Sequence, residues 1–242
     1  MRTEGQTYVS VVFLEVDELL GPGVEESLKG IEEDLHEVLG RRERILKTSR
    51  DCISLCSKAI VHLHTGKAEE AQGEIKEAEK ILKDLRKEAG ASSLSRYLAS
   101  PEAEFVEASC VEAIVLGKPI PSAKQLGVSG EGYLMGLLDT VGEVKRLLLD
   151  AIMRSEIEKA RTYFGLMESL YSALSPFAVF DNVVNGLRRK IDVARILTED
   201  VRGIMAEEAR RSHMAASMND LKASLDRRTS GRGARSRKSK ST

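Results

Sequence analysis

The sequence of 242 residues contains no tryptophan, three cysteines and five prolines, and aromatic side chains make up only 4% of it. Because prolines are few, long segments remain uninterrupted, and an interior poor in aromatic side chains must be built from aliphatic ones. An odd and small number of cysteines excludes a disulfide framework. Helical periodicity runs through most segments, whereas alternating strand patterns are lacking. The composition therefore predicts an all-α fold.

Long apolar runs and recognisable leader signals are lacking too. No stretch approaches the roughly 18 apolar residues of a membrane span, and the N-terminus lacks the basic-then-apolar order of a signal peptide. The sequence also has no phosphate-binding glycine loop and no Gly-x-Ser-x-Gly elbow, which disfavours nucleotide-driven motors and serine hydrolases. We expect a soluble, cytoplasmic protein with no membrane partner.

Composition divides the chain into three parts. Residues 1–23 end in a Gly-Pro-Gly breaker and are expected to form an N-terminal appendage. Residues 24–211 carry apolar positions at helical spacing and predict a single-domain bundle of about six to seven helices, the first with a candidate break near Gly40. Residues 212–242 end in seven basic and no acidic side chains from Arg227 onward. Such a composition cannot bury a core, so these residues are predicted to be a basic, disordered tail.

Two pairs of carboxylates stand within otherwise apolar helical segments, Glu104-Phe-Val-Glu107 and Asp139-Thr-Val-Gly-Glu143. Spacings of three and four residues place each pair on one helix face, so crossing helices would bring four acidic groups together. Unpaired carboxylates in a poorly solvated place are costly unless a cation satisfies them. Mg²⁺ or Mn²⁺ would do so and could polarise a phosphate, which points to a metal-dependent phosphodiester hydrolase.

A structural interpretation of the same residues stays open. With 38 acidic residues in a helical chain, carboxylates three or four positions apart also arise by chance on solvated faces. Gly136 and Gly142 beside the second pair indicate close approach of a ligand or, equally well, of a neighbouring helix. The carboxylates could also form internal salt bridges with Arg50 or Arg146 in a scaffold that binds neither metal nor RNA.

Histidines and cysteines give weaker signals. Glu33-Asp-Leu-His36 has the spacing of half a di-iron site, but no second Glu-x-x-His is present. His62 and His64 cannot share a helix face, and we interpret the histidines as structural or exposed. Cys52 and Cys56 do share a face, but without a matching second pair they are expected to be core thiols rather than zinc ligands.

Residues from about Arg44 to Glu207 resemble the family of translin and translin-associated factor X (Trax). The resemblance is carried, in order, by Leu46-Lys-Thr-Ser-Arg-Asp-Cys, Glu104-Phe-Val-Glu-Ala, Leu126-Gly-Val, Tyr133-Leu-Met-Gly-Leu-Leu-Asp-Thr-Val-Gly-Glu and Leu187-Arg-Arg-Lys-Ile-Asp-Val-Ala-Arg. The loop between the two acidic helices is shorter than in animal Trax sequences, and both ends carry extensions without a match.

The resemblance implies a bundle of about seven helices, an octameric closed shell, and binding of single-stranded RNA or DNA. The shell would be a homo-octamer or a hetero-oligomer with a translin-like subunit. In Trax-like members a Glu-x-x-Glu pair and a later Asp hold Mg²⁺ and cleave RNA, and the matching positions here are Glu104, Glu107 and Asp139. Glu143 matches an acidic residue one turn further on. Since every acidic position is retained, the chain resembles the catalytic, Trax-like members.

These considerations predict an endoribonuclease that hydrolyses single-stranded RNA. Glu104, Glu107 and Asp139 would coordinate one or two Mg²⁺ ions, with Mn²⁺ as a substitute, while Glu143 completes the set or accepts a proton from the attacking water. The alternative is a non-catalytic, translin-like protein that binds single-stranded RNA or DNA. Basic residues are expected to position the RNA backbone; the candidates are Arg42, Lys47, Arg50, Arg146, Arg188, Arg189 and Lys190.

Overall fold

The structure of the protein, a computed structural model, describes residues 21–238, with side chains up to residue 225 and at residue 227. Seven α-helices occupy most of this range, and the described residues contain no β-strand, which confirms the all-α prediction. The helices are α1 (Pro22–His64), α2 (Ala68–Ala89), α3 (Ala99–Val115), α4 (Ala123–Leu126), α5 (Gly130–Met153), α6 (Ile157–Leu174) and α7 (Leu187–Lys238), with short 3₁₀ segments at Ser93–Leu98 and Ser175–Phe180.

Helix α3 is the central element of the bundle. It packs against α1, α2 and α5, and it is apolar around most of its circumference, with Phe105, Val106 and Val111 fully enclosed. A helix that is hydrophobic on nearly all faces belongs in a protein interior. The acidic residues of α3 are therefore held where water has limited access.

Small side chains let α1 and α2 approach each other. Cys52, Cys56 and Ala59 of α1 and Ala71 and Ala78 of α2 are all fully buried. All three cysteines of the chain are free and buried, so the prediction of core thiols is confirmed. Removing such residues from water is the main source of stability for a core of this aliphatic kind.

A buried carboxylate that the sequence analysis did not single out fastens α2, α3 and the start of α5 together. Glu102 accepts hydrogen bonds from Arg86 Nε at 3.0 Å, from the Ser129 amide at 3.0 Å and from the Ser129 hydroxyl. Ser129 in turn caps α5 by accepting from the Gly132 amide at 3.0 Å, as predicted. A Cβ at Gly132 would lie 2.5 Å from Glu102 Cβ, so only glycine fits beneath this clamp.

The ends of the bundle differ from the sequence prediction. Helix α1 begins at Pro22, because proline is well suited to the first helical turn, and it runs through Gly40 without a break. One interior glycine costs only about 1 kcal/mol, which the flanking helix formers offset. Helix α7 continues to Lys238, so it passes residue 211, where the helical domain was predicted to end and a disordered tail to begin. Met214, Met218 and Leu221 keep a helical spacing there.

Residues 1–20, which make up most of the predicted appendage, lie outside the described residues. Within the part of the chain that is described, no helix combines the length and the apolar character needed to cross a bilayer.

Candidate functional site

The four predicted carboxylates lie where α3 and α5 face each other. Glu104 and Glu107 belong to α3, Asp139 and Glu143 belong to α5, and all four are half-buried. Glu107 feels the negative charge of each of the other three, so the four side chains form one electrostatic group. We call these four residues the carboxylate cluster. The two acidic pairs, which their spacing places on one face of each helix, therefore lie next to each other in the structure.

Helices α3 and α5 come together most closely at Gly136. A Cβ on this residue would lie 2.4 Å from the carbonyl oxygen of Ala103 and 2.6 Å from the Cβ of Val106, two residues on either side of Glu104. Any larger residue would separate the helices and widen the carboxylate cluster. Gly142 has nothing within 4 Å of such a Cβ. Close packing of a neighbouring helix is therefore confirmed at Gly136, whereas no neighbouring helix approaches Gly142.

Burial and mutual repulsion disturb the ionisation of the two glutamates on α3. Burial, followed by the charges of Asp139, Glu104 and Glu143, raises the pKa of Glu107 to about 8. Burial and the Asp139 charge also raise the pKa of Glu104, and Lys190 opposes the shift at both residues. Carboxyl groups with raised pKa values mark places where negative charge is poorly compensated.

Lys190 of α7 forms an ion pair with Asp139 at the edge of the carboxylate cluster. Both side chains are about one-third exposed, so solvent reaches this contact. Lys190 is one of the residues predicted to contact the RNA backbone. In the structure, Lys190 supplies the positive charge nearest to the carboxylate cluster. Because Lys190 is 51 positions from Asp139 along the chain, the sequence did not predict this contact.

Glu143 is held by His64, at the end of α1. His64 Nε2 lies 2.5 Å from Glu143 Oε2, and its Nδ1 lies 3.7 Å from Asp150 Oδ2. The hydrogen bond from His64, together with the nearby charge of Arg146, keeps the pKa of Glu143 below its usual range even though burial opposes this. Because the His64 side chain is only 4% exposed, it is a buried partner of the carboxylate cluster. The interpretation of His64 as structural or exposed therefore missed its contact with the site.

The chemistry of the carboxylate cluster fits a hard divalent cation, although the side chains are not collected into a finished coordination shell. No group of three or more His, Cys, Asp or Glu side chains among the described residues is arranged to hold a metal ion. The donors are nevertheless carboxylate oxygens, which Mg²⁺ and Mn²⁺ prefer. Neither Glu104 nor Glu107 receives a hydrogen bond or ion pair from any described residue. A cation would offset the burial and the repulsion that raise their pKa values.

The raised pKa of Glu107 predicts how stability depends on pH when metal is removed. Since the pKa is about 8 in the folded protein and 4.5 ordinarily, the folded state binds this proton more tightly than the unfolded chain does. The resulting stability is complete below the ordinary value and is lost as the pH rises through about 8. In EDTA, the melting temperature should fall between about pH 4.5 and about pH 8 and level off above that, and Glu107→Gln should flatten this fall. An equal fall in the variant would contradict the assignment.

The remaining predicted RNA contacts occupy different environments. Arg146 is exposed and lies 3.8 Å from Glu143, so it belongs to the rim of the carboxylate cluster. Lys47, Arg50, Arg188 and Arg189 are exposed on α1 and α7. No ion pair within the described residues occupies these four side chains, so each can meet a phosphate.

Arg42, a predicted RNA contact, forms a cationic pair with Arg96, which was not predicted to contact RNA. Arg42 Nε donates to Tyr97 Oη at 2.9 Å and Arg96 Nη2 donates to the same oxygen at 3.0 Å. Both guanidinium groups also lie about 5 Å from the centre of the Tyr97 ring, at 5.1 and 5.0 Å. These two hydrogen bonds lower the pKa of Tyr97. Among the described residues neither arginine has an acidic partner, so the pair is available to bind an anion.

Comparison with known proteins identifies the family. Residues 89–201 match the sequence model of the Translin family. An uncharacterised protein of Methanocaldococcus jannaschii is 35% identical over 164 residues, which covers 67% of this chain and 73% of that protein. Together with the structural matches below, these similarities show that the chain belongs to the Translin family.

The helical arrangement agrees with this membership. A structure of AfC3PO in complex with duplex RNA has a TM-score of 0.69 and 30% identity, and the match covers 76% of this chain and 98% of that one. A crystal structure of AfC3PO gives a TM-score of 0.68 at 31% identity over the same shares. Apo-NeC3PO, at 23% identity and a TM-score of 0.65 over 74% of this chain and 95% of its own, shares the fold.

Proposed function

We propose that this chain is a Trax-like, metal-dependent endoribonuclease that hydrolyses single-stranded RNA within an oligomeric shell. The observation that carries the proposal is the carboxylate cluster, in which burial and repulsion raise the pKa of Glu107 to about 8 while Glu104 and Glu107 have no cationic partner in direct contact. Holding such groups together does not stabilise the folded protein. A bound divalent cation would compensate their charge and could contact a phosphate.

The proposed RNA substrate rests on the family and on basic side chains, one at the rim of the carboxylate cluster and two at Tyr97. The related AfC3PO has been described in complex with duplex RNA, so single-stranded and duplex RNA both need to be tested as ligands of this chain. Arg146 at the rim of the carboxylate cluster and the Arg42–Arg96 pair provide guanidinium groups, which bind phosphate oxygens in a bidentate manner. The chain would form a homo-octamer or combine with a translin-like subunit.

Each residue of the carboxylate cluster has a distinct proposed role. Glu104, Glu107 and Asp139 would hold Mg²⁺ or Mn²⁺ through their carboxylate oxygens, and Asp139 would then loosen its pairing with Lys190. When bound, the cation polarises the scissile phosphate and offsets the charge that develops in the transition state. Glu143 would accept a proton from the attacking water, and the hydrogen bond from His64 would keep its carboxylate oriented.

A second candidate function is that of a non-catalytic RNA-binding protein of the same family. The ion pair between Lys190 and Asp139 favours it, because this contact already compensates part of the negative charge without a metal ion. This candidate predicts RNA binding that survives EDTA and no cleavage in any metal.

A cleavage assay on doubly labelled RNA tests the proposed function. We expect the purified full chain to cut single-stranded RNA in Mg²⁺ or Mn²⁺ but not in EDTA, and Asp139→Asn to lose this activity, because the amide cannot replace the carboxylate charge. RNA retention by a filter-binding assay separates binding from cleavage. Cleavage that is equal in EDTA, or unchanged in Asp139→Asn, would contradict the metal site. Binding without cleavage under every condition would support the second candidate.

The Arg42–Arg96 pair is expected to contribute to RNA affinity. Replacing both arginines with alanine should weaken binding by roughly tenfold, equivalent to about 1.4 kcal/mol. It should also reduce the slope of log affinity against log salt by about one for each lost phosphate contact. Arg44→Ala is the matched control, since Arg44 lies on the same helix but is bound to Glu88 at 2.7 Å. Equal effects of the two changes in a fluorescence-anisotropy titration would exclude the pair as an RNA contact.

A further inference from the structure

Both long helices extend well beyond the bundle. In α1, residues 22–39 are all exposed, and the first buried residue is Ile45. In α7, Val201 is the last buried residue, and residues 209–223 are all exposed. We call residues 22–40 the N-terminal extension and residues 209–238 the C-terminal extension. A solvated helix of this length has little stability of its own. Each extension therefore needs a packing partner to remain stably helical.

Each extension carries an apolar stripe with the spacing of a coiled coil. In the N-terminal extension the positions alternate by four and three residues and are 40–62% exposed; they are Val24, Leu28, Ile31, Leu35 and Val38. In the C-terminal extension Met214, Met218 and Leu221 follow the same spacing and are 61–65% exposed. Apolar residues repeated in this way form the seam between two supercoiled helices.

The two extensions carry opposite charge. Residues 22–40 contain six acidic side chains and one lysine, whereas residues 209–238 contain nine basic side chains and two acidic ones. The positions beside the seam follow the same division. Glu25, Glu32 and Asp34 flank the stripe of α1, and Arg210 and Lys222 flank that of α7. Charges at these flanking positions decide which helices pair.

We propose that the N-terminal extension of one copy pairs with the C-terminal extension of a second copy as a two-stranded coiled coil. Pairing of either extension with its own kind would place like charges opposite each other, whereas the mixed pair joins acidic to basic flanks. The 19 residues of the N-terminal extension span about 28 Å, so they can match the exposed turns of the other extension.

Pairing within one chain does not account for the exposed stripes. The two extensions do not pack against each other in the described monomer, and each continues a single unbroken helix whose direction the bundle fixes. The seam lies away from the carboxylate cluster, so the pairing stands or fails independently of the proposed function.

Disulfide trapping in the full chain tests the pairing. Ile31→Cys and Met218→Cys place one thiol near the middle of each stripe, in facing positions if the helices run antiparallel. If they run parallel, like heptad positions face each other, and Leu221→Cys takes the place of Met218→Cys. The native cysteines are fully buried and will not compete. When the two variants are mixed and oxidised, we expect a disulfide-linked dimer, and neither variant alone should give one. No dimer with either Met218→Cys or Leu221→Cys, or a dimer of Ile31→Cys alone, would overturn the proposal.

Charge reversal distinguishes this seam from a chance encounter of thiols. Adding Glu25→Lys, Glu32→Lys and Asp34→Lys to the Ile31→Cys variant should abolish trapping by Met218→Cys. Adding Arg210→Glu and Lys222→Glu to the Met218→Cys variant should restore trapping with the reversed partner, because both flanks are then exchanged. Trapping that ignores these reversals would show that the extensions do not recognise each other by charge, and would overturn the assignment of the partner. Stripes covered instead by residues 1–20 of the same chain would give no trapping.

Discussion

Replacing Glu107 with glutamine is expected to lower RNA cleavage by at least about 100-fold while leaving RNA affinity nearly unchanged. Glutamine preserves the size of the side chain but removes the charge from the most perturbed member of the carboxylate cluster, whose pKa is raised to about 8. Loss of even an indirect partner of a bound metal typically costs about 10- to 100-fold, so loss of a direct donor should cost at least as much. The loss should appear in kcat rather than in KM.

Glu112→Gln provides a control on the same helix. Glu112 is also half-buried in α3, but it lies about two turns from Glu104 and lines a separate cleft of about 510 Å³ beside Lys76 and Lys118. The same chemical change there should leave cleavage unaffected. Single-turnover cleavage and equilibrium binding, measured on both variants, separate the possibilities. If Glu107→Gln cleaved as fast as the wild type, the carboxylate cluster could not be the catalytic centre.

Replacing Gly136 with alanine is expected to destabilise the bundle and to disrupt the site together. The added Cβ would lie 2.4 Å from the Ala103 carbonyl oxygen, which is backbone and cannot turn away, so α5 must move from α3. Overpacking of this kind costs about 1–3 kcal/mol or more, against which the better helix propensity of alanine returns about 1 kcal/mol. We expect a net loss of about 1–2 kcal/mol, which lowers the melting temperature by roughly 2–8 °C.

Gly142→Ala is the matched control one and a half turns further along α5. Since nothing lies within 4 Å of its Cβ position, alanine should fit there and stabilise the helix by about 0.5–1 kcal/mol. Thermal unfolding and Mn²⁺ affinity can be followed for both variants. Similar melting temperatures for the two would contradict the close contact between α3 and α5. A destabilised Gly136→Ala that bound Mn²⁺ normally would show that this contact does not set the spacing of the carboxylates.

The parts of the fold governed by local rules could be predicted from the sequence. The cap at Ser129 and the end near Met153 define α5, and the spacing within each acidic pair places its members on one helix face. These features depend on residues that are neighbours in the chain, so the pattern contains the information. Gly136 also predicted close packing against a neighbouring helix. Gly142 predicted the same but has no such contact.

Features that depend on distant residues could not be predicted in this way. Lys190 is 51 positions from Asp139 and His64 is 79 positions from Glu143, and no periodic pattern relates such pairs before the helices are packed. Isolated histidines and lysines also occur far more often on surfaces than in sites. The continuation of α7 beyond residue 211 was not predicted for another reason. The basic residues near the C-terminus dominate the composition of this segment and outweigh the helical spacing of Met214, Met218 and Leu221.

Anomalous diffraction from a crystal soaked in Mn²⁺ tests the central claim most directly. The soak is best made above about pH 8, where Glu107 gives up its proton and can act as a ligand. The proposed site predicts an anomalous peak among Glu104, Glu107 and Asp139, with Asp139 loosened from Lys190. A crystal that takes up Mn²⁺ elsewhere or not at all, and keeps the ion pair between Lys190 and Asp139, would contradict a metal-dependent nuclease and leave the carboxylate cluster as a structural feature.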